Sequence, residues 1–173
     1  MKTESNHKYI KWITITAMFM ALNVVMSSFS VPVPGGHLYL NDVVICTAAI
    51  LLDPIAAFAV GGLGAFLGDF FFYQKAMFIS LVVRGVQAVV ISICARKLFR
   101  KHSVVASSIG VFIGAVIMVV GYTFGRVLVY ATMEASLLKL PFQILQAVVG
   151  AVAGVVLCYG FGLKKLFDKF MSK

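Results

Sequence analysis

Charge is scarce in this chain, and acid scarcest of all. Only 12% of its 173 residues are charged, six of them acidic against fifteen basic, while 61% are hydrophobic. A soluble domain carries about 25% charged residues, so a chain with this balance and a mean hydropathy of +1.01 cannot clothe itself in a wet surface. It reads as a membrane protein with no room for a separate soluble catalytic domain. Cysteine is equally sparse. Cys46, Cys94 and Cys158 stand isolated in apolar runs, without the paired spacing of a zinc site, a redox couple or a disulfide framework, and read as small buried hydrophobes. No GxxxxGK[ST], HExxH, GxSxG or CxxC pattern occurs, so ATP hydrolysis by a phosphate loop is excluded, an enzyme is the weak reading, and no cofactor or metal is called for. The net charge of +9 would suit nucleic acid, but no aromatic-studded basic surface outside the membrane accompanies it.

What the chain has is long apolar runs. They predict an all-α bundle of six transmembrane helices, residues 12–29, 38–52, 54–73, 76–95, 104–133 and 141–162, in one domain over residues 1–173. Barrel strands are excluded because the runs lack alternation. The stretch SVPVPGGH, Ser30 to His37, forbids a helix and predicts a loop or re-entrant turn. Asp53 and Pro54 mark a tight turn. The fifth run is longer than one crossing needs and is expected to tilt or project. Basic residues fix the orientation: Lys2, Lys8, Lys11, Arg96, Lys97, Arg100, Lys101, Lys164, Lys165, Lys169 and Lys173 fall on one side, against Lys75 and Lys139 on the other. By the positive-inside rule both termini are cytoplasmic, with anionic lipid headgroups as neighbours of the excess charge. The first run also resembles a signal peptide, but losing it would leave five spans and break the charge asymmetry.

Polar groups in hydrocarbon are expensive and mark function. Here they gather toward the outer side: Asn23, Asn41, Asp42 and Asp69, then Arg84 and Gln87, then Tyr122, Arg126, Tyr130 and Glu134, then Gln143 and Gln146. Tyr122, Arg126 and Tyr130 recur every four residues; Ser80, Arg84 and Gln87 follow at four and three; Gln143 and Gln146 are three apart, so each set lines one helical face. Three stripes at one depth predict an outward cavity with two guanidinium groups, amides and phenols, suited to a small polar ring compound. A plainer reading pairs Arg84 with Asp69 or Glu134, and Arg126 with Glu134, to neutralise buried charge; the tyrosines taken alone also suit interfacial anchoring. His37 is a lid contact or a solvated loop residue. Glycines at 61, 64, 68, 110, 114, 121, 125, 150 and 154 predict close helix packing. Ala17 and Ala21 have the same spacing, which fits internal packing and docking of a partner helix equally.

The stretch NDVVICTAAILLDPIAAFAVGGLGAFLGDFF, with the AMFMA of Ala17 to Ala21, resembles the substrate-binding S components of energy-coupling factor (ECF) vitamin importers. The likeness covers nearly the whole chain: an acidic opening to helix two, a proline turn into helix three, and a glycine-rich helix three ending in Gly68 and Asp69. It implies a vitamin-binding subunit in a bacterial plasma membrane. Its Ala17 and Ala21 would meet a transmembrane T component driven by two ATPase subunits, and the loop after helix one would fold over the ligand. The subunit would bind from outside, dock and topple to release its ligand inward. Carried over as ligand contacts are Arg84, Gln87, Tyr122, Arg126 and Gln146, with Asn23, His37, Asn41, Tyr130, Glu134 and Gln143 behind them. The chain looks most like the branch for riboflavin, pyridoxine-type and hydroxymethylpyrimidine ligands. A compact hydroxymethylated heteroaromatic ring is the preferred ligand, since the single tryptophan, Trp12, is too far inward to stack on one. Riboflavin, pantothenate or folate are alternatives, the last two because two arginines accept a carboxylate. From different classes come an autonomous proton-coupled carrier using Asp69, Glu134 and the arginines, and a membrane enzyme on a lipid or prenyl substrate.

Overall fold

The computed structural model describes residues 2–34, 36–97, 103–129 and 131–172. Helix α1, Lys2–Ser28, leads into an antiparallel hairpin of β1, Ser30–Val33, and β2, Gly36–Tyr39, in which Val31 faces Leu38 and Pro32 faces His37. Then come α2, Asn41–Leu51; α3, Pro54–Phe72; α4, Met77–Lys97; α5, Ser103–Val129; α6, Met133–Val155, prolonged by a π-turn at Val156–Gly160; and α7, Leu163–Ser172. Among the described residues, α1, α3, α4, α5 and α6 are long and apolar enough to cross a bilayer. The molecule is an all-α membrane bundle.

Helix α2 corrects the expected span at 38–52. Its eleven residues rise only about 16 Å, half of a hydrocarbon core of about 30 Å. Residues 36–39 are spent on the hairpin, which also replaces the expected loop or turn at Ser30 to His37 with paired backbone. What α2 lacks in length it has in burial: every residue but Val43 is buried. It is the central rod, packed against α1, α4 and α6.

Its inner end is fixed by hydrogen bonds. The C-terminal carbonyls of α2 have no helical partners, and α4 supplies them: Ser92 Oγ and Arg96 Nε donate to Leu52 O at 2.6 and 3.2 Å, and Arg96 Nη2 to Leu51 O at 3.2 Å. Asp53 then caps α3, accepting from the amides of Ile55 and Ala56 at 3.2 and 3.4 Å, and takes the indole N–H of Trp12. Pro54 sits at the first helical position, where its missing N–H costs nothing. Within α3 a π-helical segment, Ala59–Leu63, is met by Asn23, whose Nδ2 donates to Val60 O at 2.6 Å.

The inner half is closely packed and apolar. Ile45, Ala49, Ala57, Ala88, Ile91 and Val111 are buried together. Glycines permit the approach, as expected. A Cβ on Gly154 would lie 2.7 Å from Cys46 Cβ, and one on Gly114 2.6 Å from Ile91 Cγ1. Cys46 and Cys158 are buried.

Two further boundaries shift. The expected fifth span, 104–133, ends at Val129, and the sixth begins at Met133 rather than Pro141. Thr132 caps it, its Oγ1 accepting from Ala135 N at 3.3 Å, and Pro141 lies inside the helix. A membrane helix tolerates such a proline where neighbours re-satisfy the freed carbonyl. The tail past Gly162, which has φ +70°, forms amphipathic α7: Phe167 packs against the core while Leu166 and Phe170 stay exposed.

Candidate functional site

The outer ends of α2 to α6 and the hairpin surround a narrow polar cavity. Beneath its floor lies Asp42, at the start of α2 and 1% exposed. Arg84 of α4 forms a salt bridge to it. This corrects the expected pairing of Arg84 with Asp69 or Glu134: Asp42 is the acid within ion-pair reach, while Asp69 is taken by Ser80 and Glu134 is exposed. Gln146 Nε2 donates to the second Asp42 oxygen at 2.5 Å, and Gln87 Nε2 to the first at 3.4 Å. A buried charge is tolerable only with such partners.

A directed chain of hydrogen bonds climbs one wall. Arg84 Nε donates to the Tyr122 hydroxyl at 3.3 Å, and the guanidinium carbon lies 5.2 Å from that ring's centroid. Ser80 donates to Asp69, so the 2.5 Å contact between Ser80 Oγ and Tyr122 OH has the phenol as donor. The chain runs Arg84, Tyr122, Ser80, Asp69, from cation to carboxylate, which fixes each hydroxyl rotor.

The opposite wall comes from α5, α6 and the hairpin. Tyr39 N donates to Gln146 Oε1 at 3.1 Å, tying β2 to α6. Gln143 Nε2 donates to the Met118 and Val119 carbonyls at 3.3 and 3.1 Å, and Asn41 Nδ2 to Ser27 Oγ at 3.1 Å. These bonds set both amide orientations and leave Gln143 Oε1 and Asn41 Oδ1 buried in the lining without a partner among the described residues. Arg126 lines the same space, as does Lys139, whose ammonium is 5.9 Å from the Tyr39 ring centroid.

Of the residues selected from the sequence, Arg84, Tyr122, Arg126, Gln146, Asn41 and Gln143 line this cavity. Gln87 is buried below it, holding Asp42 and Arg84 Nη1. His37 stands behind the lining, its ring 5.9 Å from that of Tyr73 and 6.4 Å from that of Tyr39. Asn23 lies outside the lining at the π-segment of α3; its Oδ1 is also unpartnered. Glu134 is exposed in the first turn of α6, where a carboxylate complements the helix dipole. Tyr130 falls outside the described residues. Ala17 and Ala21 are exposed on the outer face of α1 and are not part of the internal packing.

Sequence reasoning missed Lys139, Tyr39 and Tyr73 as lining residues. The signal for Lys139 was present: Lys139, Gln143 and Gln146 stand at i, i+4 and i+7, one face of a helix begun before Pro141.

A comparison with curated proteins returns no match. A family model described as "ECF-type riboflavin transporter, S component" matches residues 7–164. The match takes in every element that builds the cavity, and the chain therefore belongs to that family, as a multi-pass membrane subunit of a vitamin transporter.

Proposed function

We propose that the outer cavity captures a nitrogen heteroaromatic vitamin from outside the cell. The observation that carries this is the pair of buried, unpartnered amide oxygens, Asn41 Oδ1 and Gln143 Oε1, in a lining that also offers cationic donors and tyrosine rings. An unpaired buried acceptor costs about 1–3 kcal/mol, which a ligand N–H recovers on binding. Arg126 and Lys139 then donate to ring carbonyls or hydroxyls, and Tyr39, Tyr73 and Tyr122 supply flat apolar surface. Arg84, held by Asp42, keeps the floor rigid. The hairpin, anchored through Tyr39 to Gln146, acts as the lid, with His37 against its aromatic edge.

Riboflavin is the first candidate, because the family model carries that name and an isoalloxazine ring presents both an imide N–H and carbonyls. Hydroxymethylpyrimidine or pyridoxine is the second, favoured because the cavity is narrow and a smaller ring needs less opening of its walls. Titrating riboflavin into the purified chain should quench flavin fluorescence to a one-to-one end point. If flavin fluorescence is unchanged while calorimetry detects one of the smaller rings, the second reading replaces the first. Binding of none of the three rejects the assignment.

The reading extends to partners: a T component docked along Ala17 and Ala21, two ATPase subunits that hydrolyse ATP, and a bacterial plasma membrane. Copurification with tagged bait tests it. Vesicles holding this chain alone, accumulating vitamin under a proton gradient, would instead establish an autonomous carrier.

A further inference from the structure

The cytoplasmic end holds a second polar cavity, about 810 Å³ with its mouth, between the inner ends of α2, α4, α5 and α7. Two cations face it, and neither serves the vitamin site. Lys164, half-buried, donates to Ser103 Oγ and to the Tyr159 hydroxyl at 3.1 Å, with its ammonium 5.2 Å from the Tyr159 ring centroid. Tyr159 is itself held, donating to Ser103 O at 2.9 Å. Arg96 uses Nε and Nη2 on the α2 carbonyls and leaves Nη1 without a partner among the described residues.

Neither cation has a carboxylate within 4.0 Å among the described residues. Asp168 lines the same cavity but reaches neither, so among the described residues two positive charges face one negative. The first turn of α7 adds the positive end of its dipole. Exposed Leu166 and Phe170 give this helix the amphipathic form that lies at a headgroup boundary. Two preplaced cations, one fixed by hydroxyls and one by backbone carbonyls, at the inner edge of a bilayer make an anion site rather than a solvated surface.

We propose that this cavity binds a phosphate ester, with Lys164 and Arg96 as its charge partners. The source is either the headgroup of an anionic phospholipid or a soluble phosphate compound. The inference is independent of the outer cavity's ligand.

Native mass spectrometry of the full chain, equilibrated with equal phosphatidylglycerol and phosphatidylcholine, tests the lipid source. Phosphatidylglycerol should be retained about 25-fold over phosphatidylcholine, the preference expected of two well-placed cations at about fivefold each. Lys164→Gln should cut that preference to about fivefold, the share left to Arg96, Lys164→Arg should keep it, and Lys165→Gln, on the exposed side of the same helix, should leave it unchanged. A soluble source is read separately: millimolar glycerol phosphate should raise the melting temperature of the lipid-depleted parent but not of Lys164→Gln. Equal lipid retention by the parent, with no phosphate-dependent shift, overturns the proposal even if Lys164→Gln fails to fold. So does a loss of preference in Lys165→Gln as large as in Lys164→Gln, which would mark general surface attraction.

Discussion

The same helices are built in two ways along their length. In the inner half, α2, α4 and α5 meet through Ile45, Ala49, Ala88, Ile91 and Val111, and α6 comes against α2 where Gly154 meets Cys46. In the outer half the same helices, joined by α3, meet through Asp42, Arg84, Gln87, Ser80, Asp69, Tyr122 and Gln146. Apolar packing satisfies helices in lipid at little cost, whereas a buried ion pair seldom improves on it. Removing half of the ion pair should expose that difference most sharply. Asp42→Ala strands the Arg84 guanidinium, and the expected loss is about 3–5 kcal/mol, read as a large drop in melting temperature in detergent. The double variant Asp42→Ala/Arg84→Met should recover most of that stability while vitamin binding stays lost. If binding returned with stability, the pair would be scaffold alone.

Next in size are the cavity cations that α2 does not hold. Arg126→Ala and Lys139→Ala should each weaken vitamin binding by about 10- to 100-fold, the usual worth of a charge-assisted hydrogen bond, and leave assembly with partners intact. Calorimetry showing unchanged affinity in both would move the ligand elsewhere.

The outer polar load was legible because depth can be read from a sequence once its spans are known. Arg84, Tyr122, Arg126 and Gln146 fall at one level, and the structure places them around one space. The partner of Arg84 was not legible. Asp42, Asp69 and Glu134 were all at suitable depth, and which helix faces α4 depends on the packing of the whole bundle. Lys139 was lost to a single boundary: taking Pro141 as a helix start put it in a loop, although a proline two turns into a membrane helix is tolerable. The length of α2 was hidden because apolar residues continue into the hairpin, and Leu38 and Tyr39 read equally well as helix or strand. Hydropathy measures burial and does not separate the two.

Two glycines on one face of α6 separate the halves directly. A Cβ on Gly150 would fall 2.5 Å from Asp42 Cβ, and one on Gly154 2.7 Å from Cys46 Cβ. Overpacking of this kind costs about 1–3 kcal/mol, so Gly150→Ala and Gly154→Ala should lower the melting temperature comparably. Only Gly150→Ala should also weaken vitamin binding, because it displaces the carboxylate that Arg84 and Gln146 hold. Equal binding losses in both variants would mean that the halves are not separable.

The smallest effect on the fold is expected on the outer face of α1. Ala17 and Ala21 are exposed there, so Ala17→Trp and Ala21→Trp displace nothing inside the bundle and should change stability by no more than about 0.5 kcal/mol. Vitamin binding should be untouched, since neither residue reaches the cavity. Assembly is another matter. Small residues four apart let a second helix approach backbone to backbone, and an indole there holds it several ångströms off. Copurification with the T component should therefore fall while binding by the isolated chain persists. The opposite pattern, intact assembly with lost binding, would place the docking surface elsewhere and make α1 part of the ligand site.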